Sequence, residues 1–256
     1  MRVLRGFDYR RGVTVLHKLD PRAKLVYVIL FTALTIIYYN SLLLLLLFLS
    51  TVPLVLIAKV GRRWIQSIKG SYVFFILIFA FNFIFNANLT AWPNINAIGA
   101  AVASVSMVMR FMTLISIFST FFLTTAPEDL TQSMVQLGVP YDYALTFNMA
   151  MRFVPTLSRE AQIIVDAQKS RGLEMEKGNL VQRVKNFIPV LIPLIVSSFR
   201  RAELVADAME SRAFGACEKR TTLYVLTMGG KDYLFIIISV VSFLLILSLK
   251  LFFGVA

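Results

Sequence analysis

The chain has one cysteine, Cys217, and one histidine, His17, in 256 residues. A lone thiol excludes an intrachain disulfide and a thiolate cluster. A lone imidazole has no second histidine with which to hold a metal, so His17, just before the first long apolar stretch, reads as an interfacial residue. Charge is scarce too: 16% of residues are charged and 58% hydrophobic, which excludes an ordinary soluble domain. Sustained polar/apolar alternation is missing, which excludes a barrel of ten-residue strands and leaves helices as the way to satisfy the backbone in lipid. A phosphate-cradling G-x-x-x-x-G-K-[ST] run is missing as well. Gly229-Gly230-Lys231-Asp232 lacks both the earlier glycine and the hydroxyl, so the chain cannot hydrolyse ATP by itself.

What is present is apolar length. Five stretches, at 23–39, 41–58, 72–89, 98–124 and 233–253, approach the ~20 residues needed to cross about 30 Å of hydrocarbon. The expectation is an all-α integral membrane protein with about five transmembrane helices. The 26 basic residues outnumber the 14 acidic ones, for a net charge of +12. They gather at Arg2, Arg5, Arg10, Arg11, Lys18 and Arg22, then at Lys59, Arg62, Arg63 and Lys69, and then between 127 and 232. The positive-inside rule makes those regions and the N-terminus cytoplasmic. The uncharged links at 39–41 and 86–96 then fall outside, as does the C-terminus after five spans. The excess charge reads as topology with attraction to anionic headgroups; no nucleic-acid partner is expected. The leading 22 residues are too charged for a cleavable signal peptide.

Three regions follow: 1–126 as a four-helix membrane region, 127–232 as a cytoplasmic or interfacial coupling region of helices, and 233–256 as a last transmembrane helix. Asp20-Pro21 predicts a helix start, with a carboxylate at the N-cap and proline in the first turn. Thr125 to Glu128 has the T-x-x-E spacing of a capping box. Within the coupling region, breaks are expected at Gly138-Val139-Pro140, Gly172, Gly178-Asn179 and Gly215. Its apolar pieces Tyr143 to Leu157 and Phe187 to Phe199 are interrupted by Arg152 and by Pro189 and Pro193. They are read as interfacial, with a re-entrant pair or an extra hairpin as the alternative.

Sixteen residues occur twice. Arg159 to Glu174, REAQIIVDAQKSRGLE, returns 41 positions later as Arg200 to Gly215, RRAELVADAMESRAFG. In the first copy Leu157, Ala161, Ile164, Gln168 and Arg171 share one helical stripe; in the second, Ser198, Ala202, Val205, Met209 and Arg212 do so. One reading of each arginine is a cation at a helix C-terminus, worth about 0.3 to 1 kcal/mol, followed by a terminating glycine. Duplication at a fixed interval, with serine and aspartate repeated, points instead to a docking device for a partner with two similar sites.

These segments, AQKSRG and AMESRAFG, resemble the paired signatures of the T component of energy-coupling factor transporters. DPRAKL, TTAPEDL, LGVP and RFVPTLSREA are similar to that family as well, so the resemblance covers nearly the whole chain. It implies a non-catalytic scaffold in the plasma (inner) membrane of a prokaryote. Two coupling helices would dock on two ATP-binding-cassette ATPases, and the membrane surface would hold one small substrate-binding membrane subunit, for uptake of a vitamin or a transition-metal ion. This chain would bind no cofactor; ATP and Mg would sit in the partner ATPases. The implied docking residues are Ser170, Arg171 and Gly172 with Ser211, Arg212 and Ala213. The sequence departs from the family where serine replaces the usual alanine before each arginine, and where Ala213 stands in place of the second glycine. Because alanine resists left-handed backbone geometry, the second tip is expected to end differently from the first.

A conventional ABC permease loop is excluded because Asp166 occupies the place of its glycine after Glu160-Ala161. A membrane-embedded enzyme such as a lipid phosphotransferase is the alternative function; it would need Asp166 and Asp207 to pair across the copies. Arg110, near the middle of the fourth apolar stretch, requires a partner or water. It reads either as an intramembrane polar contact near the substrate-binding subunit or as a snorkelling side chain, with Asn82, Asn86 and Asn88 as candidate partners.

Overall fold

The computed structural model describes residues 14–89, 97–174, 177–216 and 226–253. Arg2 to Arg11, residues 90–96 of the uncharged link and Cys217 lie outside them, as do the side chains of Asn86 and Asn88. The described residues contain no strand. Their helices are α1 (Val15–Lys18), α2 (Pro21–Ile37), α3 (Ser41–Ala58), α4 (Gly61–Gly70), α5 (Tyr72–Leu89), α6 (Ala97–Thr124), α7 (Pro127–Gln136), α8 (Tyr141–Ser170), α9 (Leu180–Glu210) and α10 (Gly230–Phe253). They form two compact units, Met1–Leu137 with Leu226–Ala256, and Gly138–Val225.

Three helical segments, 41–58, 98–124 and 230–248, are each long and apolar enough to cross a membrane; α4 and α5, bent by 45°, add a fourth if the pair is one span. The expected first span is shorter than the others, at the lower end of the length that crosses a bilayer. At 17 residues α2 reaches about 26 Å at 1.5 Å per residue, and its first turn carries Arg22 and Lys24. In the second unit the residues expected to interrupt the apolar pieces sit inside continuous helices, Arg152 in α8 and Pro189 and Pro193 in α9, and α8 also contains Pro155.

In the first unit α6 packs against α2, α3, α4 and α5, and α2 is packed by α3, α6, α7 and α10. Tyr27, Val28, Phe31 and Leu34 of α2 meet Leu44 and Leu47 of α3 and Ile117 and Phe121 of α6. The facing side of α6 is lined by small hydroxyls, Thr113, Ser116, Thr120 and Thr124, all buried, and Ser104 is buried nearer the start of the helix. Without water in the hydrocarbon each must find an acceptor within the protein. Ser104, Thr113, Thr120 and Thr124 donate to the carbonyl one turn back, at 2.7 to 2.8 Å. Ser116 instead meets Thr51 of α3 at 2.7 Å and receives the Trp64 indole N–H of α4 at 2.9 Å. Small side chains permit close helix approach, and the hydroxyls fix register.

The helix ends of this unit are tied together by charged groups. Asp20 caps α2 as expected, its carboxylate accepting from Arg22 N at 2.9 Å with proline at the first position. Asp232 of α10 accepts twice, from the Asp20 backbone N–H and from Gly229 N at the start of its own helix, both at 2.8 Å. Lys24 is buried and donates to Thr124 O at the C-terminus of α6, 2.9 Å away. The starts of α2 and α10 and the end of α6 therefore meet at one level. The expected box at Thr125 does not form. Ala126 is the N-cap of α7 and Pro127 its first residue, so Thr125 and Glu128 are displaced by one from the positions a box requires.

Asp232→Ala strands two backbone N–H groups. It is expected to lower stability by about 1 to 3 kcal/mol for each group left buried without a partner. Lys231→Ala, on the exposed face beside it, should change stability by less than about 0.5 kcal/mol. Thermal unfolding of the two variants in one detergent measures the difference.

Candidate functional site

Both repeated segments lie in the second unit, at the C-terminal ends of α8 and α9. Glu160 of α8 meets Ser197 and Arg201 of α9, whereas Gln168, further along α8, reaches Pro189, earlier on α9. The two helices are therefore antiparallel, and their tips emerge at opposite ends of the pair.

The tips close in the same way. Around Arg171, Gly172 N donates to Lys169 O at 2.9 Å and Leu173 N to Gln168 O at 3.0 Å. Around Arg212, Ala213 N donates to Glu210 O at 2.9 Å and Phe214 N to Met209 O at 3.0 Å. Each is a Schellman closure, with the arginine as the last residue before a left-handed one. Gly172 has φ +87° and Ala213 φ +56°. The expectation of a different second tip is thus corrected: the hydrogen-bond pattern imposes the left-handed conformation on an alanine, at about 1 to 2 kcal/mol. The serines turn backwards, Ser170 to Asp166 O and Ser211 to Ala208 O. Arg171 and Arg212 are exposed, and no described side chain pairs with either guanidinium.

The stripe holds for the first copy up to its end. Leu157, Ala161, Ile164 and Gln168 are half-buried, and Arg171 leaves the packed face at the cap. The second copy keeps that register and departs from it at one position: Ser198, Val205 and Met209 are half-buried, but Ala202 is exposed and the neighbouring Arg201 is half-buried in its place. The cause is the contact with Glu160, whose carboxylate receives Arg201 Nη2 at 2.6 Å. These partners were overlooked in the sequence although the interval marks them, since Glu160 and Arg201 are themselves 41 residues apart.

Proline creates the other tie. Pro193 has no N–H to give to the carbonyl four residues back, and that carbonyl, Pro189 O, accepts from Gln168 Nε2 at 3.2 Å. The first tip is thereby pinned one turn before its arginine. Asp166 accepts from Gln162 within its own helix at 2.9 Å. Asp166 and Asp207, each near the end of its helix, lie toward opposite ends of the antiparallel pair. That placement does not bring them together as a phosphotransferase centre would need.

Arg110 belongs to the first unit. Its Nη2 donates to Tyr38 O at 2.6 Å, and its guanidinium lies 4.3 Å from the centre of the Tyr39 ring. Tyr38 is the C-cap of α2, so the cation meets the negative end of a helix and a π face together. Asn82 donates to Ile78 O within α5. His17 lies beside Thr14 Oγ1, 2.6 Å from its Nδ1. Burial, aided by the nearby Lys24 charge, holds its imidazole below its ordinary pKa.

Residues 12–223 match the family described as cobalt transport protein. The chain is 34% identical to the energy-coupling factor transporter transmembrane protein of Brevibacillus brevis, over 93% of this chain and 95% of that one. It is 33% identical to the protein of the same name from Bacillus subtilis, over 96% of each. The protein of that name from Staphylococcus aureus is 36% identical, over 84% of this chain and 85% of its own length.

The two tips give opposite expectations for reciprocal substitutions. Gly172→Ala has open space for its methyl group, so its cost is that of the backbone. It should weaken the first tip by about 0.5 to 1 kcal/mol, and Ala213→Gly should strengthen the second by a similar amount, net of chain entropy. Hydrogen exchange at the Leu173 and Phe214 amides, which close the two tips, measures both.

Proposed function

The chain belongs to the cobalt transport protein family as the transmembrane T component of an energy-coupling factor transporter, and on that premise we propose that Arg171 and Arg212 dock two cytoplasmic ATPases. The observation that carries this reading is the pair of exposed guanidinium groups, paired by no described side chain, presented on matching Schellman closures at opposite ends of one antiparallel helix pair. A guanidinium stays charged and makes bidentate bonds to carboxylates or carbonyls in a groove. The Schellman closure turns the chain away immediately after the arginine, which leaves the tip unobstructed. Ser170, Gly172, Ser211 and Ala213 shape the two tips; the serines are engaged with their own helices, so the arginines carry the contact.

In this reading the chain is a non-catalytic scaffold. ATP and Mg reside in the ATPases, and their motion passes through α8 and α9. The N-terminus is cytoplasmic, on the side of the coupling helices. A small substrate-binding membrane subunit completes the importer and brings a vitamin or a transition-metal ion. Its docking is supported by the outer face of α9, where Phe187, Leu191, Ile195 and Phe199 form an exposed apolar row at one-turn spacing. Arg110 is engaged with the α2 end, which favours a structural role inside the scaffold.

Purification in mild detergent from a host carrying the whole transporter is expected to recover two ATPase copies and one small membrane protein. Arg171→Ala and Arg212→Ala should each weaken ATPase association by about 2 to 5 kcal/mol, the usual cost of truncating a charged anchor at an interface. The double variant should insert normally and lose ATP-driven uptake. Wild-type recovery of both ATPases on the double variant would refute docking through these tips.

A further inference from the structure

We propose that the Glu160–Arg201 ion pair is a positioning clasp that sets the separation and relative direction of the two arginine tips. The proposal rests on the reading of those tips as docking points and adds the element that makes them act together. Glu160 and Arg201 occupy equivalent positions in the two copies, exactly one repeat interval of 41 residues apart. When equivalent positions of two antiparallel copies touch, the contact lies on the local pseudo-twofold axis that relates them. Each tip then stands at the same distance from that axis. Arg171 follows Glu160 by 11 residues and Arg212 follows Arg201 by 11, about 16 Å along either helix.

The contact is built for alignment. Arg201 Nη2 lies 2.6 Å from Glu160 Oε2, and Ser197 donates to the other oxygen, Oε1. Glu160 therefore reads two successive turns of α9 at once, which fixes both rotation and translation. The side chains retain only 32% and 25% of their exposure for Arg201 and Glu160, in a helix pair otherwise joined by apolar and neutral contacts. Among the described residues no other ion pair links α8 to α9. Apolar packing alone lets helices slide and roll; a half-buried pair with defined bonding directions does not. The clasp matches a partner with two equivalent sites about a twofold axis, and it makes displacement of one tip a displacement of the other.

The test uses the full chain in lipid nanodiscs with Cys217→Ser, and spin labels at the equivalent exposed positions Lys169→Cys and Glu210→Cys. Pulsed electron-electron resonance should give one narrow distance population. Glu160→Gln and Arg201→Gln should each broaden it at least twofold. The exchanged variant, Glu160→Arg with Arg201→Glu, should return it to the wild-type width, because each charge then occupies the equivalent place of the other. Unchanged widths in the single variants, or an exchanged variant as broad as they are, would overturn the clasp. If a single variant fails to insert, insertion of the exchanged variant with a narrow distribution supports the clasp, and its failure overturns it. Loss of ATPase capture in the arginine-tip variants with distances unaffected by Glu160→Gln refutes the clasp alone. Broadening with ATPase capture intact in the tip variants refutes the docking reading and leaves the clasp.

Discussion

In a chain with so little water around it, the ends of helices are the expensive part, because the last turn carries backbone groups with no partner inside the helix. Much of the architecture answers that demand. Asp232 takes the N–H groups that begin α2 and α10, Lys24 takes a carbonyl that ends α6, and Arg110 takes the carbonyl that ends α2. Except at Gly229, which Asp232 serves within its own helix, each solution uses a side chain from another helix, so satisfying an end also joins two elements. The same economy appears in the second unit, where Gln168 fills the carbonyl that Pro193 leaves open.

The tips of α8 and α9 solve the problem locally instead. Their Schellman closures satisfy the final carbonyls within the turn itself, and no described side chain engages the two arginines. A helix end that needs nothing from its neighbours can be presented to another protein. Retaining that closure at Ala213, against its backbone preference, indicates that the shape of the tip matters more than the local stability it costs. Between the tips, Glu160 and Arg201 join equivalent points of the repeat, so the duplication yields a symmetric two-ended element rather than two separate helices.

Much of this was legible in the sequence. Composition and apolar length indicated helices in a membrane, and Asp20-Pro21 and the glycines at 138, 172, 178 and 215 marked real boundaries. What misled were features whose meaning depends on three dimensions. Pro189 and Pro193 read as interruptions, yet α9 passes through both, and at Pro193 a side chain from α8 meets the freed carbonyl. Thr125 had the right spacing for a box, but Pro127 set the helix start one residue too late. Ala213 suggested a different ending, whereas the hydrogen bonds of Phe214 and Ala213 enforce the same one. For Arg110, the partner lay in Tyr38-Tyr39, at the end of the first apolar stretch and the start of a link read only as external. The Glu160–Arg201 pair was visible in principle, as opposite charges at equivalent repeat positions, but only the antiparallel arrangement makes equivalent positions meet.

The central claim is that the two tips are separate contact points for ATPases. The most direct measurement places a photo-crosslinking amino acid at Ser170 or at Ser211, one position at a time, in the assembled transporter. Docking at both tips predicts that each position captures an ATPase, at equivalent surfaces of the two copies. Capture of an ATPase from neither position, or of a membrane subunit from both, would contradict it.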